Sequence, residues 1–259
     1  MKLEDLTAQT SLRAAGRKVG LEVQMVERQL ECTPIDADDP RYSMDYVMPS
    51  MKMVEACRAE DFEFFQPWLA TGRLTVEQMH RAAVRYHLGK TRCGQTIFWM
   101  IDEMRDPQDA HIAPDTWIST CLKRRQPLLR YWRPAHCLFG LHLLNMEKPV
   151  AIVESEASAV VLSELFPESL WMAYVTMSHL EPERFAPLQG RAVTFYPRTD
   201  LTGTSYLFFE DFAAYLRQRY NLQVTVASLL EDHATDQQKE RGIDILGFIL
   251  DHELHRLHE

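Results

Sequence analysis

Apolar residues in the first half of the chain recur mostly at helical spacing, and from Pro149 onward they gather into short unbroken runs separated by amphipathic stretches. Leu12–Leu30 reads as a helix that stops at the acidic, proline-containing segment Thr33–Pro40, a linker signal. Met48–Phe65 is rich in Met and aromatic residues and predicts a further helix. A turn follows around Pro67 and Gly72, up to Thr75. Val76–Tyr86 then carries apolar residues on one helical face. Between Tyr86 and Asp102 the period changes: Gly89 and Gly94 flank a short turn before the β-rich run Thr96–Ile101, which predicts a hairpin or small sheet. Asp106–Pro114 reads as a polar loop, and Asp115–Leu129 as a helix up to Pro127.

The second half alternates strand and helix. Val150–Val153, Leu170–Val175, Ala192–Tyr196 and Val224–Ala227 read as strands. Ser155–Phe166, Phe208–Tyr220 and Asp236–Leu257 read as helices. Such alternation predicts an α/β fold, a mostly parallel sheet with helices on both faces. The pattern divides the chain into a polar extension and linker (residues 1–45), a smaller α+β region (46–147) and an α/β domain (148–259).

Composition adds little to this division but narrows the function classes. With 46% hydrophobic and 25% charged residues, the 259-residue chain has the balance of a folded globular protein. No apolar run reaches the roughly eighteen residues needed to span a bilayer. The N-terminal sequence lacks the apolar core of a signal peptide, so a cytoplasmic location with no membrane partner is expected. The five cysteines (Cys32, Cys57, Cys93, Cys121 and Cys137) form no CxxC pair and are read as free thiols. A net charge of −9 argues against coating nucleic acid over the whole surface, but leaves room for a local basic groove.

Ligands of open parallel sheets bind beyond the C-terminal ends of the strands. The first strand of the α/β domain runs into Glu154-Ser155-Glu156, and the third into the polar turn Tyr196–Gly203, which holds Asp200. Carboxylates converging from two strand ends repel one another unless a hard cation lies between them, and Mg²⁺ is the usual choice. The same residues serve equally well as caps, because acids in a first helical turn favour the helix dipole.

These residues also resemble a family. Val150–Ala159 is similar to the first motif of the toprim domain, the α/β catalytic module of bacterial primases, topoisomerases and related nucleases, and Glu154 falls on its general acid or base. Tyr196–Gly203 resembles the toprim aspartate motif, with Asp200 as its second acid and Gly203 as its glycine. Gly242–Ile245, which contains Asp244, resembles the short acidic segment near the end of primase-type toprim domains. Upstream, Tyr86–Gly89, Thr96–Asp102 and Cys137–Gly140 are similar to the N-terminal part of primase-like toprim proteins of bacterial mobile elements, a Bacteroidetes family among them. The resemblance covers most of the chain after about residue 46. It implies a toprim-like sheet preceded by a primase-like α+β region, with Mg²⁺ held by Glu154, Glu156, Asp200 and Asp244.

The departures from that pattern cluster at one site. Arg198 stands where the first acid of the aspartate motif belongs and puts a fixed cation where the family binds metal. The helix after Glu154 has Ala157 where a basic residue is usual, and Tyr174–His179 lacks the usual glycines. Arg198 either pairs with Glu154 or Glu156 as an internal counter-ion or contacts a phosphate directly. Metal-dependent phosphoryl transfer is therefore expected to be impaired or lost. If it survives, Glu154 is the acid or base, and Asp200 with Glu156 or Asp244 holds the metal.

Independently of any family, Cys121–Arg133 carries five cations and no acid. Lys123, Arg124, Arg125, Arg130 and Arg133 suit phosphates, while Tyr131 and Trp132 suit stacking on unpaired bases. A solvated charged face is the plainer reading of the same run. At the C-terminus, His252 and His255 are three apart and miss the metalloprotease spacing of four. His87, His136 and His142 have no partner spacing and are read as packing residues. The expected function is thus a primase-like protein binding single-stranded or primer-template DNA. The alternatives are a non-catalytic adaptor that binds a protein partner and a nucleotide-binding regulator.

Overall fold

The computed structural model describes residues 48–126, 129, 131–145, 147–177 and 180–258. The helix expected over Leu12–Leu30, the Thr33–Pro40 linker, Cys32 and Arg130 lie outside the described residues.

Where a single helix was expected over Met48–Phe65, two pieces form: α1 (Met51–Ala56) and a 3-10 turn at Glu63–Phe65 that leads into α2 (Gln66–Ala70). The aromatic run packs on itself rather than continuing α1, with Phe62, Phe64 and Phe65 rings 4.6–5.7 Å apart. α3 (Val76–Arg85) forms as its spacing predicts. Thr75 and Gln78 close a reciprocal capping box at its start, and Met79, Ala82 and Ala83 form its buried face.

The next four strands, β1 (Gly89–Lys90), β2 (Thr96–Ile101), β3 (Pro107–Ile112) and β4 (Thr116–Trp117), make an antiparallel sheet in sequence order. β3 occupies what reads as a polar loop. Its polar residues Asp109 and His111 sit on the sheet face and are satisfied there by partners distant in sequence. α4 (Ile118–Arg125) ends before Pro127. Along β2 the side chains alternate: Ile97, Trp99 and Ile101 pack with α1 and α4, whereas Phe98 and Met100 join the larger core on the other face.

A second, parallel sheet has the order β6-β5-β7-β8, from β5 (Val150–Val153), β6 (Leu170–Ala173), β7 (Ala192–Phe195) and β8 (Gln223–Val226). β5 is buried at all four positions, as its unbroken apolar run predicts. Ala151 and Val153 face α3, α5 (Glu156–Leu165) and the start of α9 (Ile245–His258). Val150 and Ile152 face α6 (Thr204–Tyr220) across the opposite core. The expected α/β arrangement, a parallel sheet with helices on both faces, is thus present. The single helix expected after Asp236 is not: Gly242, at φ 60°, separates α8 (Asp236–Glu240) from α9, and α7 (Leu229–His233) precedes both. No helix among the described residues is long and apolar enough to cross a membrane.

The two sheets share one core, in which Phe98 and Phe139 pack edge to face at 5.6 Å. Gly140 makes the join possible. Its φ is 86°, and a Cβ there would lie 3.0 Å from both the Trp171 carbonyl and the Tyr86 ring. Gly140→Ala is expected to cost about 2–4 kcal/mol, combining left-handed strain with overpacking. A loss below about 1 kcal/mol in urea unfolding would contradict this close approach.

Candidate functional site

β5 is the point at which strand order reverses, so the ends of β5 and β7 flank the crevice where α/β sheets bind ligands. Glu154 follows β5 directly, and its carbonyl accepts the Val175 amide at 2.9 Å. Arg198, three residues beyond β7, donates through Nε to Glu154 Oε2 at 2.7 Å. The Tyr174 hydroxyl, from the end of β6, also reaches the Glu154 carboxylate. Burial raises the pKa of Glu154, Arg198 pulls the other way without cancelling the rise, and the charge of Asp244 adds to it. The Arg198 side chain is 54% exposed, against 20% for that of Glu154.

The other expected ligands are engaged elsewhere. Asp200 caps α6: Oδ1 accepts from the Thr202 and Thr204 amides and the Thr202 hydroxyl, and Oδ2 from the Ser205 amide. These bonds, the Thr202 hydroxyl foremost, lower its pKa to about 2. Asp244 starts α9, accepting from Gly247 N at 2.8 Å and from Ser158 Oγ at 2.6 Å. Glu156, in the first turn of α5, is turned away from the crevice and takes His111 Nδ1 at 2.7 Å. The acidic pair Glu154 and Glu156 therefore separates to two partners. Among the described residues no group of three or more His, Cys, Asp or Glu side chains is arranged to hold a metal. Each of the four acids has its own partner here, Arg198 on Glu154, His111 on Glu156, the start of α6 on Asp200 and Ser158 on Asp244.

A family model described as a domain of unknown function (DUF6371) matches residues 63–199, which is 137 of the 259 residues. The chain belongs to this family. The DUF6371 segment contains both sheets except β8, and both members of the Glu154–Arg198 pair; Asp200 and Asp244 lie beyond it. No curated protein matches the chain.

The basic segment lies apart from this crevice, since α4 packs on the β2 face opposite the shared core. Arg124 and Arg133 are exposed. Lys123 instead sits over the Trp132 ring at 5.7 Å, and Trp132 packs against the α1–α4 core. Of the two rings expected to stack on bases, Tyr131 is 74% exposed and Trp132 is partly buried.

Sequence spacing missed a buried polar layer between the sheets. His111 donates from Nε2 to the Pro114 carbonyl at 3.1 Å, and its Nδ1 lies 2.7 Å from Glu156 Oε1. Burial opposes its charge, but the Glu156 contact outweighs burial and raises its pKa. Beside it, His136 stacks on Trp117 at 4.5 Å and pairs with the fully buried Asp109 at 2.9 Å. His136 is thus more than a packing residue. The expectation of free thiols holds for Cys57, Cys121 and Cys137, whereas Cys93 is disulfide-bonded.

Proposed function

We propose that this chain is a primase-like, toprim-type nucleic-acid-binding protein whose strand-edge site has exchanged Mg²⁺ for an arginine. The observation that carries this reading is the 2.7 Å contact between Arg198 and Glu154 at the sheet's switch point. An internal cation there neutralises the carboxylate as a metal would. It also leaves an exposed guanidinium edge suited to a phosphate oxygen. On this reading the site binds the nucleic-acid backbone without transferring phosphoryl groups. The end of α4 and the segment after it supply a second phosphate-contacting surface through Lys123, Arg124, Arg125 and Arg133, with the exposed Tyr131 ring of a type that stacks on bases. A protein-binding adaptor is the second reading. It is favoured by the exposed apolar residues Leu201, Leu207 and Phe208 around the start of α6.

The test is binding of a fluorescent single-stranded oligonucleotide at several salt concentrations. Arg124→Glu with Arg133→Glu is expected to weaken binding at every sequence and to lower the salt slope by about 1.4, roughly 0.7 per lost phosphate contact. An unchanged affinity and slope would remove α4 from the interface. Failure of the unmodified chain to bind any oligonucleotide would leave the adaptor reading.

A further inference from the structure

At the end of the parallel sheet opposite the Glu154–Arg198 crevice lies a cavity of about 150 Å³, between the end of α3, the end of α5 and the turns that lead into β5 and β6. Its polar lining is Arg85, Asn145, Lys148, Ser163 and Ser169, and the buried Tyr86, Leu170 and Trp171 form an apolar wall. Two cations and no carboxylate line it, in a chain whose net charge is −9. Glu164, which Arg85 meets at 2.7 Å, is shared with Arg81 at 2.6 Å, so one carboxylate serves two guanidinium groups. Lys148 Nζ donates to a neutral acceptor, the Pro167 carbonyl. Buried Arg191 donates to the Lys148 carbonyl and brings a further cation to the same strand start. Positive charge is therefore in excess here.

We propose that this cavity binds a phosphate dianion, as the free ion or as the terminal phosphate of a monoester. Size limits the ligand first. A cavity of about 150 Å³ takes a molecule of about benzene's size, whereas sites for larger organic ligands span about 300–1,000 Å³. A phosphate group fits, and a whole nucleotide does not. Charge and shape then select among small anions. The two lining cations match a dianion, and a tetrahedral oxyanion takes donors from several directions at once. Arg85 offers a guanidinium fork from α3 and already spends one nitrogen, Nη2, on both Ser163 Oγ and Glu164 Oε1. Lys148 exchanges the Pro167 carbonyl for a phosphate oxygen. Asn145 Oδ1 accepts the Glu147 and Lys148 amides at 3.1 and 3.2 Å, so its amide nitrogen is the end left to donate. Ser169 adds a hydroxyl from the turn before β6. A planar monoanion such as a carboxylate would occupy the fork and leave one cation unbalanced. The apolar wall lowers the local dielectric and strengthens each of these contacts.

The test titrates sodium phosphate into the full chain at constant ionic strength and pH about 7.5, above the second phosphate pKa of about 6, and follows heat and Tm. One saturable equivalent and a rise in Tm are expected. Lys148→Met keeps the aliphatic stem and should weaken binding at least about tenfold, the loss of one charge-assisted hydrogen bond. Arg85→Lys keeps the charge but not the fork, and a similar loss is expected. Ser169→Ala should cost about threefold, as for a neutral donor. Lys148 and Ser169 are partly exposed, so their variants test the site even if Arg85→Lys, which also disturbs Glu164, fails to fold. Lys148→Met should leave binding of an oligonucleotide without a terminal phosphate unchanged, which separates this cavity from Arg198 and α4. Ribose 5-phosphate distinguishes the sources: binding at least as tight as that of inorganic phosphate marks a monoester site, weaker binding a site for the free ion, and either upholds a phosphate site. The proposal is overturned if the unmodified chain shows no saturable phosphate binding, or if acetate binds as tightly as phosphate. It is equally overturned if Lys148→Met and Ser169→Ala bind phosphate as the unmodified chain does.

Discussion

Replacing Asp109 with alanine is expected to destabilise the protein by about 3–5 kcal/mol, the range for breaking a buried charged contact by removing one partner. Asp109 is fully buried. Its Oδ1 accepts the Ala110 amide at 2.8 Å and the Ser119 amide at 2.9 Å, and its Oδ2 takes His136 Nε2 at 2.9 Å. Ser119 lies in the first turn of α4, whose own N-cap residue, Trp117, offers no side-chain acceptor. A strand residue thus caps the helix from across the sheet. Alanine would leave two backbone donors and an imidazole buried without acceptors, which costs more than the lost bonds alone. Asp109→Asn retains an acceptor and the shape of the side chain, and about half the loss is expected from it. Urea unfolding reads both changes, with m unaltered if only the native state is affected. Because Asp109 caps the helix that carries Lys123–Arg125, Asp109→Ala should also weaken oligonucleotide binding, although it touches no phosphate. A loss below about 1 kcal/mol would show that the buried contact is not what fixes α4.

The same residue explains why part of the fold was hidden from the sequence. β5 is legible because a strand buried on both faces must be apolar throughout, and Val150–Val153 is. α3 is legible because Met79, Ala82 and Ala83 repeat at the helical period above a capping box. β3 is not, because Pro107–Ile112 carries Gln108, Asp109 and His111 where a strand usually shows apolar residues. The last two can lie there only because His136 and Glu156 reach them from 27 and 45 residues away. Nor does spacing show that Gly242 breaks the last helix, since glycine is tolerated in helical patterns. At the crevice, Glu154 could be placed from the strand end, and Arg198 could be seen to need an acid. Which acid it takes depends on the path of α5: Glu156 points at β3, so Glu154 alone remains. Asp200 carries its own lesson. A motif acid in front of a helix reads equally as a ligand or a cap, and four hydrogen bonds make it a cap here.

Arg198→Asp is the substitution expected to change the protein most in kind. Glu154 already has its pKa raised by burial and by Asp244, with Arg198 as the opposing charge. Exchanging that cation for a carboxylate brings acids together at one strand edge with nothing to neutralise them. Without metal, the variant should be less stable than the unmodified chain, because like charges at short range disfavour the ionised forms. Added Mg²⁺ should reverse this. An ion that binds only the folded state stabilises by RT ln(1 + [L]/Kd), about 2.7 kcal/mol at one hundred times Kd. The unmodified chain, with Arg198 in the metal's place, should melt at the same temperature with or without millimolar Mg²⁺. Arg198→Ala separates the two contributions: it removes the counter-ion and adds no ligand, so it should lose stability and recover less of it with metal. If Arg198→Asp responds to Mg²⁺ no more than the unmodified chain, the strand ends are too far apart to share an ion. If the unmodified chain itself gains stability from Mg²⁺, the arginine does not stand in for the metal.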